Sequence, residues 1–246
     1  MSRSSCTKKD MSYNQRLFSG KGLRSHLHNS RFIWFQEILV QMGVGRVDVV
    51  EIGCFDGRLL DFFPVKPRRY EGIDAGWEGG LAEAQEKYRE SRDWSFEKAV
   101  DATSLNRFAD DAFDLGVAME TIEHIPPHSV DDYLSELARV VNGYLVVTVP
   151  NEKGIVFLAK WIVKKVFLSS SEEYSFSEIV AATFGNMQKV KRNEHKGFDY
   201  DILAEQINNH FQVVKVEGIP FRFLPKSLSF TIGIVAKSPD RCLKTK

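Results

Sequence analysis

Short apolar runs alternate with longer amphipathic stretches along most of this 246-residue chain. Val47, Val49, Val50 and Ile52 form a β-branched run of the kind that builds a parallel strand buried on both faces. It ends in a turn, Glu51 to Gly57, and from Arg58 the spacing of Leu59, Leu60 and Phe63 predicts the start of a helix. Further strands are predicted over Arg69–Asp74, Trp94–Val100, Phe113–Met119 and Leu145–Val149. Helices are predicted from near Trp77 and over Ser129–Val141, where Val130, Tyr133, Leu137 and Val140 share a face. At the C-terminal end, Asp199–Phe211 predicts a helix and Gln212–Glu217 a strand. Leu228–Ala236 predicts a last strand, with Phe230, Ile232, Ile234 and Ala236 alternating. Ahead of the first strand, Phe32, Phe35, Leu39 and Met42 fall at helical spacing, with Asn29 or Ser30 as cap and Gly43 as stop.

Alternating strands and helices predict an α/β fold with a parallel sheet, whose ligand lies at the carboxyl ends of strands one and four. Residues 1 to about 20 read as a polar, basic arm, and Arg24, His26, His28 and Arg31 lead from it into the first helix. The expected division is an arm over 1–28 and a single domain over 29–246. The latter carries an insertion over 151–196, longer than a tight connection needs. Its Gly154–Leu168 stretch is strongly apolar, with Lys153, Lys160 and Lys164 on one helical face. From Lys153 to Lys196 there are eight basic and four acidic residues. The stretch 154–168 is too short to cross a bilayer but suits a helix lying in its surface. Three readings stay open here: a lid, an oligomer contact and a contact with lipid.

Composition narrows the classes. Hydrophobic residues at 43% and charged residues at 27% are ordinary for a globular chain, and 33 basic residues cancel 33 acidic ones. No global field argues for nucleic acid. Three scattered cysteines, Cys6, Cys54 and Cys242, propose neither a disulfide framework nor a zinc site. The opening MSRSSCTKKD lacks the apolar core of a signal peptide. The expectation is a cytoplasmic protein, peripheral at the inner membrane surface if the insertion meets lipid.

The chemistry concentrates in the turn after the first strand. VDVVEIGCFDGRLL ends a strand on an acid, turns on glycines and lets backbone approach a ligand. Glu51, Gly53 and Gly57 keep step with Glu/Asp-x-Gly-x-Gly-x-Gly, Phe55 replacing the middle glycine. Asp74 falls near the offset of about 20 residues at which an acid ending strand two takes ribose hydroxyls. With FDLGVAMETIEHIP and LVVTVPN following in order, the chain resembles the class I S-adenosylmethionine-dependent methyltransferases. That resemblance implies a Rossmann-like, doubly wound seven-stranded sheet of order 3-2-1-4-5-7-6 with the seventh strand antiparallel. It implies S-adenosylmethionine as cofactor, held by Glu51, Gly53, Cys54, Phe55, Asp56, Gly57, Asp74, Ala75, Trp77, Asp101, Ala102, Met119 and Glu120.

The segment ETIEHIP and the later NEHKGF also resemble ubiquinone-type O-methyltransferases and small-RNA 2′-O-methyltransferases. There a Glu-x-x-Glu-His motif and a later histidine hold a divalent ion. The likeness makes Glu120, Glu123, His124 and His195 candidate metal ligands, and Glu123, His124 and His195 candidate catalytic residues. A histidine base, without metal, or a purely positional role are the alternatives the residues leave open. The expected acceptor is a small molecule or glycan, first a sugar hydroxyl of a surface polysaccharide or its lipid-linked precursor, then a quinone-like aromatic hydroxyl. A module that holds the cofactor without turnover is the rival outside the class.

Overall fold

The computed structural model describes residues 23–77, 79–167, 174–193 and 196–239. Helix α1 (Leu23–Gln41) precedes β1 (Asp48–Ile52), β2 (Arg69–Asp74), α2 (Gly80–Lys87), β3 (Trp94–Lys98) and β4 (Phe113–Met119). Then follow α3 (Val130–Val140), β5 (Val141–Pro150), α4 (Gly154–Phe167), α5 (Phe176–Thr183), α6 (Tyr200–His210), β6 (Gln212–Ile219) and β7 (Thr231–Lys237). Among the described residues the strands form one seven-stranded sheet of order β3-β2-β1-β4-β5-β7-β6. β1 to β5 pair in parallel, whereas β7 runs antiparallel to both β5 and β6. This is the order and the reversed strand that the resemblance implies.

Both faces of the sheet are covered, which explains the unbroken apolar runs. One core gathers Val50, Ile52 and Phe113 with Leu137 of α3 and Ile207 of α6. On the other face Val49, Tyr70 and Leu115 pack with Phe35 and Leu39 of α1 and with Leu59 and Leu60. α1 is fixed to the far end of the sheet by Trp34. Its indole N–H donates to Glu217 at 2.9 Å, and its ring fills the space over Gly233, where a Cβ would come within 2.4 Å. β7 is buried on both faces, so Gly233 and Val235 are as enclosed as the alternating Ile232, Ile234 and Ala236.

Three expectations are corrected. No α-helix follows β1: Arg58–Phe62 is a five-residue 3-10 turn, because Pro64 and Pro67 stop any longer helix in the short path to β2. α1 begins at Leu23, not at Asn29 or Ser30, so Arg24, His26 and His28 lie within it. α2 begins at Gly80, past Trp77, which stands 73% exposed. The N-terminal arm falls largely outside the described residues, and His195 falls wholly outside them.

Candidate active site

The carboxyl ends of β1 and β4 meet at the point where strand order reverses. Gly53 has a left-handed φ of 76°, and a Cβ there would lie 2.0 Å from Oγ1 of Thr121, so the two turns touch through a position only glycine can hold. Phe55 is left-handed as well, at φ 48°. The aromatic that replaces the middle glycine therefore still adopts the backbone that glycine favours, at a cost of about 1–2 kcal/mol. Its ring is turned out of the turn and laid on Gly80 at the start of α2. Glu120, leaving β4, is a second left-handed non-glycine at φ 53°. Such strain collects where a site over-determines the backbone.

Asp74 closes the turn from the side. Its carboxylate accepts the Phe55 N–H at 2.9 Å and the Gly76 N–H at 2.6 Å, tying the loops after β1 and β2 together. Asp101, at the end of β3, accepts the Thr103 N–H at 3.0 Å and stays exposed, while Ala102 beside it is buried. Asp56 is taken up in a bidentate pair with Arg58, at 2.9 and 2.6 Å. Glu51 is 2% exposed and accepts from the Tyr70 hydroxyl. Burial pushes its carboxyl well above the ordinary carboxylate range, and Asp74 and Asp56 push the same way. Cys54 is buried against Gly72, so only its main chain can meet a ligand. Met119 is buried under Thr148. The glycine turn, the strand-two carboxylate and the Ala102 main chain suit the amino-acid, ribose and adenine portions of S-adenosylmethionine.

Glu120 and Glu123 follow β4. Glu123 is 1% exposed, and among the described residues neither of its carboxylate oxygens has a hydrogen-bond partner; Glu120 Oε1 is buried in the same condition. Burial first, then the Glu120 charge, raises the Glu123 carboxyl well above its ordinary range, with Arg31 opposing. Two arginines that sequence reasoning did not assign to the site stand over this pair. Arg31 of α1 places Nη1 3.8 Å from Glu120, and Arg192 of the insertion donates from Nη2 to the Glu123 carbonyl at 3.0 Å. Arg31 Nε and Arg192 Nη1 are buried without partners among the described residues. Arg31 was legible as a cation on the helix entering the fold, but nothing in the sequence says that Arg192 folds back onto strand four.

The metal set does not assemble. Glu123 is buried while His124, one residue on, is exposed. Among the described residues no three His, Cys, Asp or Glu side chains converge as ligands. The 3-10 turn Ile122–His124 sends the neighbouring side chains in different directions.

The insertion is held to this site by ion pairs. Lys153 Nζ lies between Asp199 and Asp201, 2.7 Å from the latter, and 4.3 Å over the Tyr200 ring. Lys160 Nζ reaches the Asn151 carbonyl at 2.7 Å and Glu152 at 2.8 Å. Lys153 therefore ties the insertion to the start of α6, whereas Lys160 closes on residues of the insertion itself.

Residues 49–143 match a family described as a methyltransferase domain. No curated protein matches the chain. Solved structures share the fold. Magnesium protoporphyrin IX methyltransferase of Synechocystis PCC 6803, with bound S-adenosylhomocysteine, is 15% identical with a TM-score of 0.59, over 91% of this chain and 92% of that one. A SAM dependent methyltransferase from Aquifex aeolicus is 14% identical with a TM-score of 0.54, over 87% and 93%. The 1,6-didemethyltoxoflavin-N1-methyltransferase of Burkholderia thailandensis is 16% identical with a TM-score of 0.54, over 88% and 85%. Residues 49–143 thus resemble a methyltransferase domain, and the solved structures, S-adenosylmethionine-dependent methyltransferases among them, share the chain's fold.

Proposed function

We propose that this enzyme moves the methyl group of S-adenosylmethionine to a hydroxyl oxygen of a sugar, in a surface polysaccharide or its lipid-linked precursor. The observation that carries the reading is the group of unpartnered polar atoms on Glu120, Glu123, Arg31 and Arg192. Carboxylates need donors and guanidinium groups need acceptors, and a hydroxyl is both. Neighbouring sugar hydroxyls satisfy such a set, whereas the flat face of a quinone-like phenol leaves most of it unmet at a cost of about 1–3 kcal/mol per buried group.

Bound S-adenosylmethionine supplies an electrophilic methyl on a sulfonium. The acceptor oxygen attacks that carbon, the carbon–sulfur bond breaks toward sulfur, and the hydroxyl proton passes to Glu123. A carboxyl raised above the ordinary carboxylate range is, once ionised, a stronger proton acceptor than a free one, and such positioned bases contribute roughly 10²–10⁴ in rate. Arg31 and Arg192 orient the acceptor, and proximity does the rest. His124 is left with a positioning role.

The test is transfer of labelled methyl into fractionated cell-envelope material, followed by hydrolysis. Label recovered as an O-methyl sugar supports the reading. Label confined to phenolic or amine fractions overturns it.

A further inference from the structure

We propose that the outer face of the α4–α5 hairpin is a docking surface for an anionic lipid bilayer. This concerns where the enzyme sits and stands independently of the acceptor chemistry above. The inner faces of the two helices are already used: Phe157, Ala181, Ala182, Met187 and Val190 form a small core of their own. What faces outward is apolar in turn. On α4, Ile155 is 61% and Val163 51% exposed, with Ile162 beside them; on α5, Phe176 is 82% and Phe184 84% exposed, with Val180 between. Spacings of seven and eight residues on α4 and of four on α5 put each set on one stripe of its helix. Neither stripe has protein packed on it, although fully burying one such side chain is worth about 1.5–3 kcal/mol.

Charge identifies the occupant. Among the described residues the insertion's acids are spent inward: Glu152 on Lys160, and Glu178 on Lys196 at 2.9 Å, on its capping box with Ser175 and on the Lys191 N–H. Among the described residues of 153–196, each exposed charged side chain is a lysine: Lys165, Lys189 and Lys191. Apolar stripes whose exposed charges, among the described residues of 153–196, are lysines match a surface that is apolar within and negative at its headgroups, the setting of an interfacial helix. A second copy docking symmetrically would set lysines against lysines. The chain's own residues 1–22 carry five basic side chains and one acid, so they are repelled by the same rim. Among the described residues no helix is long and apolar enough to cross a membrane, which fits a helix pair lying on the surface.

Flotation of the full chain on vesicles of phosphatidylglycerol and phosphatidylcholine decides the matter, because it reads binding without acceptor or turnover. Wild type should float with anionic vesicles at low salt and be left behind by pure phosphatidylcholine or high salt. Phe176→Ser with Phe184→Ser should cut the bound fraction at least about tenfold, and so should Lys165→Glu with Lys189→Glu and Lys191→Glu. Each variant should keep wild-type affinity for S-adenosylhomocysteine, which shows that the fold is intact. Three results overturn the proposal: no flotation at low salt, flotation indifferent to both sets of substitutions, or a solution dimer that the Phe176 and Phe184 changes dissociate.

Discussion

Glu123 holds opposite demands in one carboxyl. Burial raises its proton affinity, so at neutral pH the folded state is strained against ionising it. A carboxyl raised in the folded state leaves stability intact at pH values below its unfolded value and withdraws it as pH climbs through the folded one. Glu123→Gln should therefore melt higher than wild type at pH 8, by about 1–2 kcal/mol, and the gap should close toward pH 4. The same substitution should lower kcat roughly 10²-fold or more while S-adenosylhomocysteine binding holds, and the wild-type rate should rise with pH through a value above the ordinary carboxylate range. A variant destabilised at pH 8, or one that retains turnover, removes the base. Asp74 makes the companion case. Its two oxygens hold the Phe55 and Gly76 amides, and Asp74→Ala should weaken S-adenosylhomocysteine by about 1–3 kcal/mol in calorimetry. Unchanged affinity in that variant would place the ribose elsewhere.

The turn after β1 shows which elements the sequence announces. β1 and β4 were readable because strands buried on both faces leave an almost unbroken β-branched run, and a run of that kind has few alternatives. The helix after Gly57 was not, because Leu59, Leu60 and Phe63 are apolar for a different reason. They pack under α1 from a 3-10 turn, and α1 is distant in sequence. The left-handed Gly53, Phe55 and Gly57 spend their amides inside the protein, on the Ile73 carbonyl, the Asp74 carboxylate and the Cys54 carbonyl, so this turn is held by its own hydrogen bonds and not by a regular helix start. Gly53→Ala drives a Cβ onto the Thr121 hydroxyl, so it should cost about 2–4 kcal/mol of stability. Thr121→Gly in the same chain should return only the steric part, leaving the cost of a left-handed alanine. Thermal denaturation of the three variants separates the two, and full recovery in the double variant would show that the backbone at residue 53 is unstrained.

At the scale of the molecule, the two cations over the acceptor carboxylates arrive from opposite ends of the chain. Long-range closure of this sort leaves no local pattern, which is why Arg192 looked like one basic residue among eight and Arg31 like an approach to a helix. Arg31 depends on where α1 lies, and α1 is positioned by Trp34 against Gly233, remote from the pocket. Gly233→Ala should push the indole off β7 and shift α1, costing about 1–3 kcal/mol in stability. Because Glu120 meets Arg31 across 3.8 Å, the shift should also lower kcat/KM, while the Kd for S-adenosylhomocysteine, set by the β1 and β2 loops, should stay. Trp34→Leu alone removes both the ring over Gly233 and the bond to Glu217, so it should lower kcat/KM in the same direction. Turnover unaffected by Gly233→Ala, or lost in equal measure with cofactor affinity, would show that α1 does not hold Arg31 over the acceptor.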